Sequence, residues 1–582
     1  MVLNDLRMYA FERGSDSRST RYLRVRMLDA SGVAHYSTLY QDFDPLWEKV
    51  FVNQLVVRDA AGQIVLTGSP ADYYVVNKSD AAIVSHRRTL CIPVPHLLPG
   101  HTVELVLTKS ALGLPDDFDF ARLWLVQGQP MLLAGAGYGG ALSNIQHAAF
   151  NGVQTTATPS GCVWQVTQSP AFEPEPLEAG RETFLPLLLL ADGAGDWQRA
   201  ADTYLGKIAA HLQPERPVQA LAQRLTAGAT NTAARIRCIC EYVQTNFTYR
   251  GIEFGVRGRV PPPVEETLRN RYGDCKEHAL LTVTLLRAAG IAAQPALVHT
   301  SWPIVTNLPS MDQFNHMLAY VPEGNRFLDT TEKNTDITAG IPAGLGGRQA
   351  LVLAPGAAHF ATIGAHRVED CSVATTATAL LGTNGVVRVQ ETTVFSGYYA
   401  AAMRDWLRGE STDAGHQWAQ DSLRRYEPAA ELVSFKAEPL ATPAATLTFT
   451  ADYTLPARAS AAPGQHALTP PAWWLKYYFQ TSPATHRQHP FGLEFPLHVV
   501  STLRIQSADG RAALAVPAPE AAETEGLVWR VSARRDGVAL VLTADGQNKT
   551  GRFPRAAYDR YRQSTDRLLR AATPEITFGS AP

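Results

Sequence analysis

The chain has 582 residues, 45% of them hydrophobic and 18% charged, and its 52 lysines and arginines against 54 aspartates and glutamates leave a formal charge of −2. At roughly 150 residues per domain, this length predicts about three to four domains. The balanced charge, with no basic stripe, argues against a nucleic-acid binder, and no run reaches the ~18 consecutive apolar residues of a membrane span.

The opening stretch MVLNDLRMYAFERGSDSRST lacks the basic-then-apolar pattern of a secretory signal. The expectation is a cytoplasmic protein, or a periplasmic or secreted one if this is a mature or truncated end. Six cysteines (Cys91, Cys162, Cys238, Cys240, Cys275 and Cys371) are spread along the whole chain, which is no disulfide framework. Cys238 and Cys240 stand two apart in a helical pattern and so point to different faces. Without a second Cys/His pair nearby they read as packing residues. No metal and no cofactor are expected.

Residues 1–190 read as strands. YLRVRML, VFVNQLVVRD, TVELVLTK and ARLWLV are short, rich in Val and Leu, and separated by turn formers, a spacing that predicts a β-sandwich. The greasiest run, FLPLLLLA from Phe184, is broken by Pro186.

Residues 191–365 change character. DWQRAADTYLGKIAAHL and NTAARIRCICEYVQTNF carry helical periodicity, and QPALVHT, FNHMLAYV and NRFLDTT follow as strands, an α+β order. Residues 366–582 are again strand-rich, with one helical interruption from about Tyr398 to Tyr426. The fold class is therefore multidomain α+β, a central α+β core flanked by an N-terminal β-sandwich and a β-rich C-terminal domain.

Within the core, Asp274 is a good N-cap and Glu277, three residues on, completes a D-x-x-E capping box. Cys275 becomes the first helical residue, Leu281, Leu285 and Ala288 or Ala289 form the expected buried stripe, and Gly290 ends the helix. Free backbone N–H groups and the positive end of the helix dipole favour an anion at such a place, and a cysteine there tends to a lowered pKa and a reactive thiolate. A small buried residue at a helix start is an equally good reading of the helix alone.

Downstream residues decide it. His316 begins a predicted strand, Pro322-Glu323-Gly324-Asn325 turns, and Asp329 lies on the return. With Val321 opposite Arg326, Asp329 falls opposite Leu318 and shares a face with His316, a diagonal neighbour ~7–8 Å away at the backbone. A nucleophile, a base and a group to orient the base then occur in the order Cys, His, Asp. His278, three residues after Cys275, competes as a base but has no carboxylate in view, so it reads as structural or substrate-facing. Gln244 and Tyr249 are weaker candidates as donors to an oxyanion.

The segments YGDCKEHALLTVTLLRAAGI, FNHMLAYV and FLDTTEK resemble the core of the transglutaminase-like superfamily, whose fold is related to the papain-like cysteine proteases, over about Thr232 to Leu353. The resemblance implies Cys275 as nucleophile, His316 as general base and Asp329 as its orienter. Residues 1–190, including DFDPLWEKVF, resemble a β-rich domain of unknown function found ahead of this core in bacterial proteins. The implied activity is acyl transfer on a peptide or isopeptide amide of a protein or peptide substrate, with hydrolysis preferred. The alternatives are transglutaminase-type cross-linking of protein glutamines and a non-enzymatic peptide-binding or assembly scaffold.

Overall fold

A computed structural model describes residues 1–10, 17–78, 83–111, 120–139, 145–159, 161–192, 196–253, 255–334, 336–459, 465–481 and 487–579. Residues 193–195, at the expected boundary near 191, lie outside the described residues. The chain divides into two compact units, one of residues 1–174, 180–331 and 347–363, the other of 175–179, 332–346 and 364–582. Among the described residues, no helix is long and apolar enough to cross a membrane.

In the first unit an eight-stranded sheet is ordered Gln154–Thr158, Gly161–Ser169, Met131–Gly139, Val2–Ala10, Ser17–Arg26, Thr102–Ala111, Glu48–Arg58, Ile64–Thr67. Val25, Leu105 and Trp164 from this sheet share one core with Leu39 and Ile92 of a three-stranded sheet and with Leu123, Leu188 and Leu190 of another. The apolar run after Pro186 is the strand Leu187–Asp192, flanked on both edges by Phe120–Trp124 and Ile145–Phe150. It is buried on both faces. Leu188 and Leu190 enter that core, whereas Leu187, Leu189 and Ala191 pack with Leu308 of the following α+β region. A continuous apolar run, without alternation, is what such a strand needs. The two regions are also joined by hydrogen bonds, since Ile83–Ser85 pairs in parallel with Gly251–Glu253.

The α+β region has a five-stranded antiparallel sheet ordered Arg326–Leu328, His316–Val321, Gln294–Val298, Gln349–Val352, His359–Thr362. The helix Cys275–Ala288 lies against His316–Val321 on one side and against the helices Arg216–Thr226 and Thr232–Asn246 on the other. Every residue from Cys275 to Leu286 is buried, so the single apolar stripe expected from Leu281 and Leu285 is replaced by burial on all faces. That is the rule for a helix enclosed by neighbours. Its polar members are satisfied internally, Thr282 Oγ1 donating to His278 O (2.8 Å) and Thr284 Oγ1 to Leu280 O (2.7 Å). Gly290, at φ +76°, ends the helix in the left-handed region glycine favours.

The second unit carries a second eight-stranded sheet, with Thr446–Pro456, Val386–Ser396, Ser372–Leu381 and Leu497–Ser507 adjacent at its centre. Its core holds one buried carboxylate, Glu391, which accepts from Trp473 Nε1 (2.7 Å), Trp474 Nε1 (2.9 Å) and Tyr453 OH (3.0 Å). Besides the helices Gly397–Arg408 and Thr412–Tyr426, this unit has Trp473–Phe479 and Arg555–Ala572, two helices more than the sequence pattern suggests. The last of these buries Ala557, Tyr558, Tyr561, Ser564, Thr565, Leu568 and Ala572, a helical spacing interrupted by two hydroxyl residues.

Candidate active site

The start of the Cys275–Ala288 helix is built by its neighbours in sequence. The Asp274 carboxylate accepts from Lys276 N at 2.8 Å, and Asp274 N donates to Glu277 Oε2 at 3.0 Å, closing the capping box. Gly273 makes this possible. A Cβ at that position would stand 2.4 Å from Glu277 Cβ, so a side chain there would push Glu277 out of the cap. Lys276 Nζ also reaches Asp274 Oδ2 at 2.5 Å, with both side chains buried. Burial and then Asp274 push the Glu277 carboxyl up to about 8. Asp274 goes the other way. Despite its burial, the hydrogen bond from Glu277 and the Lys276 charge hold it below the usual carboxylate range. The two carboxyls share one proton, carried by Glu277, as close acidic pairs do.

Cys275, the first residue of the helix, is 8% exposed. Its backbone N–H makes no hydrogen bond among the described residues. Across from it, Val321 pairs with Arg326 and Ala319 with Leu328, the register that the turn predicts. Asp329 follows Leu328 and is diagonal to His316. His316 Nε2 lies 2.6 Å from Asp329 Oδ2. The other carboxylate oxygen accepts from Thr331 N (3.0 Å) and Thr331 Oγ1 (2.6 Å), so Asp329 is fixed from both sides. Burial opposes a charge on His316, but the Asp329 charge and hydrogen bond, followed by interaction with the Cys275 side chain, hold its pKa well above the ordinary value. Burial likewise opposes the Asp329 charge, and the His316 charge and the hydrogen bonds keep its carboxyl low.

His278 is placed differently. It is 1% exposed, its Nδ1 sits 2.9 Å from Asp274 O, and its ring packs beside Phe247 and Tyr249. It belongs to the structure of the helix start. Gln244 is buried on the Thr232–Asn246 helix. Tyr249 stays partly open, and its hydroxyl is held from ionising first by burial and then by the charge of Cys275.

Two features escaped the sequence. Tyr204 donates to Arg259 O at 2.8 Å, and burial followed by the Cys275 charge raises its pKa. Thr282 Oγ1 and Thr330 Oγ1 lie 3.0 Å apart, both buried, tying the helix of Cys275 to the residue after Asp329. No motif marks either, since each depends on a partner distant in sequence. Cys240 is buried and Cys238 half-buried, and all six cysteines are free thiols. Among the described residues, no group of three or more His, Cys, Asp or Glu side chains is arranged to hold a metal ion.

The family model of the Transglutaminase-like superfamily matches residues 219–316, which include Cys275 and His316 and end before Asp329. A domain of unknown function with a solved structure, DUF3857, matches residues 15–130. Among solved structures, a candidate protease from Parabacteroides distasonis ATCC 8503 is similar over 99% of this chain and 98% of that chain, with 12% identity and a TM-score of 0.70. A candidate cysteine protease from Cytophaga hutchinsonii covers 56% of this chain and 78% of its own at 11% identity, with a TM-score of 0.16. No curated protein matches the chain. At 12% identity the likeness to the Parabacteroides protein is one of fold. The chain thus carries a transglutaminase-like core domain at residues 219–316, with a DUF3857 domain at residues 15–130 ahead of it.

Proposed function

We propose that this chain is a thiol-dependent acyl-transfer enzyme that opens peptide or isopeptide amides, with Cys275 as nucleophile, His316 as general base and acid, and Asp329 as the group that orients His316. The observation that carries this reading is the position of His316, held at Nε2 by Asp329 and interacting with the Cys275 side chain. With Nε2 committed to the carboxylate, Nδ1 is the ring nitrogen left to serve the thiol.

In the reaction so proposed, the Cys275 thiol proton passes to His316 and the sulfur attacks the amide carbonyl. The oxyanion forms beside the first N–H groups of the helix, where the dipole favours negative charge. As the C–N bond breaks, His316 returns the proton to the leaving amine. Water, activated by His316, then cleaves the thioester and restores the thiol. Hydrolysis is favoured over transfer to an amine by the fold shared with the candidate protease from Parabacteroides distasonis.

The test needs no substrate. Iodoacetamide adducts mapped by mass spectrometry should form on Cys275 at pH 6, where an ordinary thiol of pKa ~8.5 is almost wholly protonated. The buried Cys91, Cys162, Cys240 and Cys371 should react far more slowly. His316→Ala should shift the Cys275 reaction to higher pH. A Cys275 that stays unreactive at neutral pH in the folded protein, indifferent to His316→Ala, would move the reading to a peptide-binding scaffold.

A further inference from the structure

A cleft of about 670 Å³ opens between the N-terminal β region and the core of the first unit, within the ~300–1,000 Å³ of ordinary ligand sites. The DFDPLWEKVF segment lines part of it, through Asp42, Phe43, Asp44, Trp47 and Glu48. The acidic members of that segment are already engaged. Asp42 pairs with Lys78 and accepts from Thr89 Oγ1 (2.5 Å), Asp44 Oδ1 accepts from Leu46 N (3.0 Å), and Glu48 pairs with Lys109 (2.6 Å). Asp312, on the core side, pairs with Arg259 at 3.0 Å.

The arginines facing the same space are not so engaged. Arg7, Arg18, Arg87 and Arg122 line the cleft, and among the described residues none has a carboxylate within ion-pair distance. Against them stand two lining carboxylates without such a partner among the described residues, Glu253 and Asp44, the second holding the Leu46 N–H. Arg122 lies over the ring of Trp302 (5.0 Å), and burial pushes its pKa down to about 10. A half-buried guanidinium of this kind favours a site where an anion can reach it.

The lining of the cleft is bonded to a neighbour of the nucleophile. The Arg259 backbone carbonyl accepts from the hydroxyl of Tyr204, a side chain that feels the charge of Cys275. Glu253 closes the strand Gly251–Glu253, where a Cβ at Gly251 would meet Ile83 at 3.3 Å and Asp274 at 3.6 Å.

We infer that this cleft recognises acidic side chains of the peptide whose amide is presented to Cys275, so that the N-terminal β region selects the substrate for the core. The inference rests on the amide-acting reading for the word substrate, but the binding itself does not. Arginines read carboxylates by paired N–H donors. A nucleic-acid strand would fit less well, because the chain has a formal charge of −2 and no basic stripe to follow a phosphate backbone.

The test uses the full-length Cys275→Ala chain, which binds without chemistry, so failure of the catalytic reading leaves this result intact. Fluorescence anisotropy with a short fluorescein-labelled glutamate-rich peptide should show binding that weakens with salt. A serine–glycine peptide of equal length should bind at least about tenfold more weakly. Arg18 and Arg87 are both exposed, and the pair Arg18→Glu with Arg87→Glu should weaken the acidic peptide by about tenfold or more. The milder Arg87→Ser should act in the same direction if the double reversal disturbs folding. Equal binding of acidic and neutral peptides, indifference to the substitutions in folded protein, or tighter binding of an oligothymidylate would each overturn the proposal.

Discussion

His316 Nε2 and Asp329 Oδ2 stand 2.6 Å apart, His316 opening the strand His316–Val321 and Asp329 following the strand Arg326–Leu328 that pairs with it. The pair holds both charges in a buried place. His316 has its pKa raised, so its share of stability is fully present below the unfolded value of about 6.5 and is lost as pH rises through the folded value. Asp329 has its pKa lowered, so its share is present above about 3.9 and is lost as pH falls through the folded value. Asp329→Asn should therefore cost most stability between about pH 4 and 6.5, and progressively less above. Denaturant titrations of both proteins across pH measure the difference. The same variant should lower turnover by about three to four orders of magnitude, because the imidazole loses its orientation.

Gly273 and Glu277 give a second prediction. Gly273→Ala places a Cβ against the Glu277 side chain and should break the capping box, at a cost of about 1–3 kcal/mol read as a fall in thermal midpoint. Glu277→Gln should behave differently. Glu277 carries a proton up to about pH 8, so an amide mimics its neutral state. An acid whose folded pKa is raised makes the fold lose stability as pH climbs from the unfolded value, ~4.3, to the folded one. Wild type should show that decline and Glu277→Gln should not. A parallel decline in both proteins would mean that another group titrates.

The helix start and the strand pair were legible because both are local. A capping box spans a few residues, and the His316–Asp329 register needs no more than the turn at Glu323-Gly324 and the two-residue strand period. Asn325 N bonding back to Pro322 O at 3.0 Å, with Gly324 and Asn325 both at positive φ, is the turn that keeps this register. What could not be read depends on packing between distant segments. The burial of Thr282 on a helix with no polar face, the hydroxyl of Tyr204 on Arg259, and the strand pairing of Ile83–Ser85 with Gly251–Glu253 are each fixed by residues some 50 to 170 positions away. The helix Arg555–Ala572 escaped because Ser564 and Thr565 interrupt its buried stripe.

The buried hydroxyls of Thr282 and Thr330 supply the last prediction. They bond each other at 3.0 Å, and Thr282 also donates to His278 O at 2.8 Å. Thr330 Oγ1 also lies 3.4 Å from His278 O, so both hydroxyls reach that carbonyl and together tie the Cys275 helix to the strand end that carries Asp329. Thr330→Val keeps the shape and removes the tie, leaving Thr282 with an unmet acceptor at a cost of about 1–2 kcal/mol. Thr282→Val takes a donor from the His278 carbonyl but leaves the Thr330 hydroxyl that carbonyl at 3.4 Å, and should cost no more than Thr330→Val. The double variant removes both partners, so its loss should fall short of the sum by about 0.5 kcal/mol or more. Denaturant midpoints of the four proteins close this cycle. If the tie also positions Asp329, Thr330→Val should lower the His316 pKa seen by NMR titration and depress turnover more than substrate binding. A purely structural role would leave that titration unchanged while stability falls.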